Sequence, residues 1–352
     1  MNGELEVVDN NTEIVITSND NHWIYDGEEH TEPTYTVTYG GTSITPDEGS
    51  DGLVFTLPTG DKITITPTAS ITNKDTVDNT FTYEIENGDQ YDDVTTTFGE
   101  LRVTCRPVTI TAATSPYIYD GNAHTNPAYT VVGLVGTDAI TPVITGSIQY
   151  PSESPVDNVV ESYEFTSGDA SNYCVTLVNG ELTMTCTNVA LAITADSQTW
   201  TYDGQDHTQN SYTMSVNGAT AISVPVSAAG VYTFSNGDVL TVTITGTVHN
   251  ATTAAVANDI VSYTIFHDGE DVSDCYDIIP TDGELTVSKR PITITAGSAE
   301  KLYDGTALTE DSYTSTGTLA DGETIDNAEI WENIEPDTLN PGTYNMVAWI
   351  MD

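Results

Sequence analysis

The chain has 352 residues, of which 38% are hydrophobic and 17% charged, a composition typical of folded modules and unlike that of a disordered chain. Its 53 acidic residues outnumber its 7 basic ones, giving a formal net charge of −46. This balance excludes nucleic acid as a partner and argues against anionic lipid, because both require clustered Lys and Arg.

An internal repeat organises the chain, since a Tyr-Asp-Gly motif recurs every ~80–100 residues. Its copies are Tyr25-Asp26-Gly27, Tyr119-Asp120-Gly121, Tyr202-Asp203-Gly204 and Tyr303-Asp304-Gly305. A second motif, Gly-Glu-Leu, keeps step with it and begins at Gly3, Gly99, Gly180 and Gly283. The two motifs predict the closing strand of a preceding repeat (1–10), repeat 1 (11–106), repeat 2 (107–188), repeat 3 (189–290) and an incomplete repeat 4 (291–352).

Each repeat is predicted to follow the same course along the chain. It opens with a strand of alternating Thr and aliphatic residues, as in 107–112 and 291–296. A Tyr-Asp-Gly turn follows, in which Asp bonds local backbone and Gly takes a positive φ. Further strands lead to a closing Gly-Glu-Leu strand. In repeat 2, Asn179-Gly180 predicts a hairpin with a two-residue type I′ turn.

Short alternating strands separated by turn signals, with almost no helical pattern, predict an all-β fold. We expect tandem small β-sandwiches of immunoglobulin-like architecture in an elongated array. A β-grasp-like module is the alternative, which one solid helix in each repeat would favour.

These motifs resemble the YDG/MBG-type repeats of large bacterial surface proteins. The resemblance covers essentially the whole chain, from Tyr-Asp-Gly-x-x-His-Thr through Gly-Glu-Leu to Arg-Pro-Val/Ile-Thr-Ile-Thr-Ala. Two positions depart from it: Leu308 replaces the histidine in repeat 4, and repeat 2 closes with Cys186-Thr187-Asn188 instead of Arg-Pro. The resemblance implies structural stalk or adhesion repeats of a secreted protein anchored at the cell surface or cell wall.

The repeated residues predict no catalytic site and no enzyme, because no nucleophile, base and orienting acid recur together. Of the six histidines, only His30, His124 and His207 recur in register with the repeat. One such side chain in a repeat is too few for a zinc site, and we interpret these three as turn packing. No cofactor is predicted. Calcium is a weaker possibility at the acidic loop that contains Asp268, Glu270, Asp271 and Asp274, whose spacing departs from the regular calcium loop.

Four cysteines in an exported protein predict disulfides, but the sequence leaves their pairing open. One pairing joins each repeat to the next, Cys105 with Cys174 and Cys186 with Cys275. The other joins Cys174 to Cys186 across the predicted hairpin. Lysine–asparagine isopeptide bonds are excluded within repeat 2, which contains no lysine.

Two alternative functions remain at this level. Exposed Trp23, Trp200 and Trp331 could stack on sugars in a lectin-like module, or a terminal strand could complete another molecule and build a fibre. The expected partners are neighbouring repeats of the same chain and an unknown host or glycan ligand. No membrane span is predicted, since no apolar run is long enough.

Overall fold

The computed structural model describes residues 3–332 and 346–350, except 5, 7, 9, 226–229, 252, 253, 307, 309, 311, 326 and 327. For 328–332 and 346–350 it describes the strands but not the side chains. The chain divides into two compact units, the first formed by 1–117, 123–149 and 153–184 and the second by 118–122, 150–152 and 185–352. The Tyr-Asp-Gly loop of repeat 2 therefore belongs to the unit that contains repeat 3.

Repeats 1 and 2 are built from short strands. Repeat 1 contains β1 (Ile14–Ser18), β2 (Asn21–Ile24), β3 (Tyr35–Tyr39), β4 (Thr42–Ile44), β5 (Val54–Thr56), β6 (Lys62–Pro67), β7 (Asp75–Asp78), β8 (Phe81–Ile85), β9 (Val94–Thr97) and β10 (Glu100–Thr104). Repeat 2 contains β11 (Arg106–Ala112), β12 (Ser115–Ile118), β13 (Tyr129–Val132), β14 (Ala139–Thr145), β15 (Val156–Ser167), β16 (Tyr173–Val178) and β17 (Gly180–Thr185).

The later repeats continue in the same way. Repeat 3 contains β18 (Val189–Ala195), β19 (Gln198–Thr201), β20 (Tyr212–Val216), β21 (Ile222–Val224), β22 (Val231–Thr233), β23 (Val239–Thr245), β24 (Val256–His267), β25 (Glu270–Asp271), β26 (Tyr276–Thr281) and β27 (Gly283–Ser288). Repeat 4 contains β28 (Thr293–Ala296), β29 (Tyr313–Thr316), β30 (Ala328–Glu332) and β31 (Met346–Ile350). Among the described residues, the 3-10 helices are Gly88–Gln90, Pro151–Glu153, Ala170–Asn172 and Ser273–Cys275.

The strands form small sheets within each repeat. Their orders are β4-β3-β1-β9, β5-β6-β8 and β2-β10-β7 in repeat 1, β13-β11-β16 and β12-β17-β15-β14 in repeat 2, β21-β20-β18-β26 and β19-β27-β24-β23-β22 in repeat 3, and β28-β29 and β30-β31 in repeat 4. The fold is all-β and immunoglobulin-like. No α-helix occurs among the described residues, so the helix that a β-grasp module requires is missing from them. No helix in this part of the chain has the length and apolar character needed to cross a membrane.

The first and last strands of a repeat run side by side. The opening strand pairs in parallel with the penultimate one, as β1 with β9, β11 with β16 and β18 with β26. The second strand pairs in parallel with the closing one, as β2 with β10 and β19 with β27. The start of the penultimate strand therefore lies at the entry of the repeat. The Tyr-Asp-Gly turn follows the second strand, so it lies at the end of the repeat where the closing strand leaves that repeat.

The predicted hairpin at Asn179-Gly180 is wrong. Strand β16 pairs with β11 in one sheet, while β17 lies between β12 and β15 in the other. Neither Asn179 nor Gly180 takes the positive φ that a type I′ turn requires. Instead, the Asn179 side chain accepts a hydrogen bond from the Val160 amide at 3.1 Å as the chain passes between sheets.

The buried side chains form separate clusters. One fills repeat 1 between β1, β3, β5, β6 and β8, and includes Ile14, Phe55 and Ile65. A second joins Leu101 and Val103 of the closing strand of repeat 1 to the residues buried in repeat 2. The closing strand of repeat 1 therefore packs with the core of the repeat that follows.

The predicted closing strand at 1–10 lies partly outside the described residues. Of those described, residues 3, 4, 6 and 8 belong to no strand, and Asn10 forms a parallel bridge with Tyr91. The Asn10 amide donates to the Gln90 carbonyl at 2.7 Å.

The Gly-Glu-Leu motif marks a crowded point of the fold. Leu101, Leu182 and Leu285 are completely buried. A Cβ added at Gly99 would lie 2.6 Å from backbone atoms of Ser18, the last residue of the opening strand, and of Asn19, which follows it. Only glycine allows the closing strand to approach the backbone this closely.

Gly99→Ala should lower the free energy of unfolding by about 1–3 kcal/mol, because backbone atoms cannot move aside cheaply. Gly88→Ala is the matched control in the same repeat, since its Cβ would come no closer than 4.0 Å to Ile85. Thermal and urea unfolding of the full chain would measure both changes. Equal effects of the two substitutions would contradict the role assigned to Gly99.

Candidate functional site: the Tyr-Asp-Gly junctions

The Tyr-Asp-Gly loop has the same local geometry in all four copies. The Asp carboxylate accepts a hydrogen bond from the amide two residues later, at 3.0 Å for Asp26, 2.9 Å for Asp120, 3.0 Å for Asp203 and 2.9 Å for Asp304. The glycines take φ values between 78° and 85°. The backbone amide donor at Glu28 and the His30 side chain hold the pKa of Asp26 below its ordinary value. The turn is therefore encoded by nearby residues.

The histidine of each of the first three loops is held against the turn. Nε2 of His30 lies 2.9 Å from the Asp26 carboxylate, and His207 makes the same contact with Asp203. Main-chain hydrogen bonds in both directions join His30 to Ile71 at 2.8 and 3.0 Å, and the pattern recurs between His124 and Ile148 and between His207 and Val248. These histidines are thus held in the structural position that turn packing predicts.

In the first three repeats, the aromatic residue two positions before the motif tyrosine is stacked on the histidine of the loop. Trp23 stacks on His30 with ring centroids 4.7 Å apart, and Trp200 stacks on His207 at 4.8 Å. One face of each indole is therefore covered by an imidazole, and that face is unavailable for stacking on a sugar. The Trp331 side chain lies outside the described residues.

At two of the three junctions the tyrosine of the motif reaches an acid in the next repeat. In the second unit, the Tyr119 hydroxyl donates to Asp238 Oδ1 at 2.6 Å, and the Tyr276 hydroxyl donates to Oδ2 at 2.5 Å. His267 Nδ1 lies 2.8 Å from Asp238 Oδ1. Asp238 is completely buried and His267 is 7% exposed. A carboxylate taken out of water in this way depends on these donors for its stability.

Burial and the neighbouring acids raise the pKa of tyrosines at these junctions. Burial, and then the hydrogen bond to Asp238, raises the pKa of Tyr119 and of Tyr276 well above the ordinary value. Burial and the hydrogen bond to Asp138 raise the pKa of Tyr173 to about 12. The neutral phenol is the form that the junction holds.

The other two junctions share some of these contacts. The Tyr202 hydroxyl donates to Glu323 at 2.5 Å. Tyr25 packs edge-on against Tyr173 with ring centroids 5.4 Å apart, and Tyr173 donates to Asp138. Tyr303 of the fourth copy remains 73% exposed.

Main-chain hydrogen bonds fix each tyrosine to the closing strand. The amides of Tyr25, Tyr119 and Tyr202 donate to Thr104, Thr185 and Ser288 at 2.9 Å in each case. Two junctions add a guanidinium. Arg106 donates to the carbonyls of Gly133 at 2.8 Å and Tyr25 at 3.3 Å, and Arg290 donates to the Tyr202 carbonyl at 2.7 Å.

The cysteines form two bridges, Cys105–Cys174 and Cys186–Cys275, each joining the end of one repeat to the next. Of the two pairings that the sequence left open, this is the one between repeats. Strand β16 runs parallel to β11, with Cys174 opposite Pro107. Cys105 directly precedes β11, so both cysteines lie at the entry of repeat 2.

The structure does not assemble the predicted calcium loop. Asp271 accepts from the Ser273 amide at 2.9 Å, while Asp268 faces His267 at 3.8 Å. In the described part of the chain, no three Asp, Glu, His or Cys side chains are grouped closely enough to hold a metal ion.

Sequence reasoning missed the acids that receive the tyrosine hydroxyls. Asp61, Asp138 and Asp238 each come just before the strand that crosses the repeat, and a glycine stands one or two positions earlier. Tyr91, Tyr173 and Tyr276 occupy matching positions before or at the start of the penultimate strand and donate to these acids. This Gly-x-Asp or Gly-Asp recurrence was the signal that could have identified them.

Comparison with known proteins adds little. No protein-family model matches the chain, and no curated protein matches it. Among solved structures, the chain is similar to the crystal structure of the I9–I11 tandem from titin, at 11% identity and a TM-score of 0.17, over 79% of this chain and 99% of that one.

Tyr119→Phe should destabilise the second unit by about 1–3 kcal/mol, because it removes a donor from the buried Asp238 carboxylate. Tyr263→Phe is the matched control, since Tyr263 is 38% exposed on β24 in the same unit. Urea unfolding of the full chain, followed by hydrogen exchange in residues 230–280, would measure the change. A loss as small as that of Tyr263→Phe would contradict the role of the hydroxyl.

The full chain should lose stability in alkali. The folded-state pKa of Tyr173, about 12, lies above the ordinary value of about 10, so the stabilisation is complete below about pH 10 and is lost as the pH rises through about 12. The raised pKa values of Tyr119 and Tyr276 act in the same direction. Urea midpoints and tyrosinate absorbance would follow the loss, and Tyr119→Phe should flatten it. A midpoint that stays constant across this range would refute the prediction.

Proposed function

We propose that the chain is a series of structural repeats from a secreted bacterial stalk or adhesin at the cell surface or wall. The observation that supports this best is the recurrence of one kind of junction. At three successive boundaries the Tyr-Asp-Gly amide bonds the closing strand, and at two of them the tyrosine hydroxyl donates to an acid of the following repeat. Repetition of a joint serves a protein whose task is to extend or connect.

Three further properties agree with this role. Two disulfides are typical of proteins outside the reducing cytosol. The net charge of −46 keeps such a chain soluble through self-repulsion. The stretch 107–288 contains no Lys or Arg, so a protease that cuts after these residues has no site within it. The function is structural, and we assign no catalytic step to it.

The test is surface exposure of the parent protein. Antibodies raised against this chain should label intact source cells as strongly as permeabilised ones, while an antibody against a cytosolic protein labels only permeabilised cells. Labelling that appears only after permeabilisation would contradict the proposal. Specific binding of the isolated chain on a glycan array would instead favour the lectin-like alternative.

A further inference from the structure

The two disulfides create a covalent path much shorter than the chain itself. Cys105 is bonded to Cys174, 69 residues later, and Cys186 to Cys275, 89 residues later. Between the bridges lie only residues 174–186, which contain most of β16 and all of β17. After the second bridge the chain continues through β26 and β27, the closing strands of repeat 3.

We propose that these disulfides divert tension past residues 106–173 and 187–274, so that repeats 2 and 3 bear load only through their two closing strands. Tension along a polymer follows its covalent bonds, and a loop closed by a disulfide cannot lengthen while the bridge is intact. The physical claim holds for any tension applied to the ends of the chain. Its biological meaning rests on the proposed function as a stalk.

The strands that remain in the load path are well placed to resist it. Strand β16 pairs with β11 over the six positions from Arg106 to Thr111, and β26 pairs with β18 over six positions from Val189 to Thr194. Strand β17 lies between β12 and β15, and β27 lies between β19 and β24. Pulling along these strands loads their ladder hydrogen bonds together, because such bonds run across the strand direction.

Repeat 1 is an internal comparison, because no cysteine precedes Cys105 in the sequence. At the place where repeats 2 and 3 have a bridge, repeat 1 has the hydrogen bond from the Asn10 amide to the Gln90 carbonyl. Its strands are therefore free to unfold and extend under tension. Repeat 4 has no cysteine either, so repeats 1 and 4 stand in series with two repeats whose loops are closed.

Reduction would release the closed loops. A dithiol reductant exchanges with each bridge, leaving two protein thiols while its own two sulfurs form an intramolecular disulfide, so that atoms and electrons balance. The residue Cys174 is exposed, whereas Cys275 is 4% exposed. Exchange requires access to a sulfur, so the bridge of repeat 2 should open before that of repeat 3.

The pairing itself is tested first. Trypsin acting on the denatured, unreduced chain should leave residues 103–289 as one fragment that holds all four cysteines, since Arg106 is followed by Pro107. A second cut with a protease specific for acidic residues then isolates the linked peptides. Recovery of a Cys174–Cys186 peptide in place of the two long-range bridges would overturn the proposal.

The decisive experiment is single-molecule extension of the full chain, held through peptide-ligase tags at its two ends because cysteine chemistry would disturb the bridges. At up to about 3.5 Å per residue, reduction with dithiothreitol should add about 240 Å for the first loop and about 310 Å for the second. The extension of repeat 1 should be unchanged. Equal total lengths in oxidised and reduced molecules would overturn the proposal.

Paired cysteine substitutions show which disulfide accounts for each increase in extension. Cys105→Ser with Cys174→Ser should release only the shorter loop under oxidising conditions, and Cys186→Ser with Cys275→Ser only the longer. Reduction of the unmodified chain gives the same information if either variant fails to fold. A negative result in surface labelling would contradict the proposed function but would not change the extensions measured here. The failure of one proposal can therefore be distinguished from the failure of the other.

Discussion

The parallel pairing of the opening strand with the penultimate strand is the constraint on which each repeat depends. It brings residues almost a whole repeat apart in sequence to one end of the fold, as with Arg106 and Tyr173 or Val189 and Tyr276. Two parallel strands need a long connection, and here the rest of the repeat supplies it. The same arrangement carries the Tyr-Asp-Gly turn to the point where the chain leaves the repeat. Both kinds of bond between repeats, disulfide and tyrosine–acid, follow from this placement.

A chain with a net charge of −46 gains little from ordinary salt bridges, because it has few cations with which to form them. The junctions use neutral donors instead. Tyrosine hydroxyls donate to Asp238 and Glu323, and backbone amides donate to the carboxylates of the turns. These hydrogen bonds stabilise negative charge without requiring Lys or Arg. A large negative net charge is therefore compatible with ordered junctions between repeats.

Local features of the fold could be predicted from the sequence, and non-local ones could not. The Tyr-Asp-Gly turn was predictable because Asp26 bonds an amide only two residues away and Gly27 has the positive φ that the turn requires. The Asn179-Gly180 hairpin prediction was wrong because the Val160 amide, from a distant strand, engages Asn179 as the chain changes sheets.

The cysteine pairing stayed ambiguous in the sequence for a related reason. It depends on β16 lying parallel to β11, and neither strand carries that information by itself. The role of Tyr119 was hidden in the same way, since its acceptor Asp238 lies 119 residues further along the chain. Period-2 alternation shows which residues face a core, but it does not show which strands are neighbours.

Differences among the three junctions separate what is essential from what is added. The first has both a disulfide and Arg106, the second has a disulfide with His267 on the buried acid, and the third has Arg290 without a disulfide. A disulfide stabilises largely by restricting the unfolded chain, so it can be omitted where other bonds suffice. The bond from the tyrosine amide to the closing strand occurs in all three. Because that bond is set by parallel pairing of the second and last strands, the joint is built by the backbone, and the side chains determine how firmly it is locked.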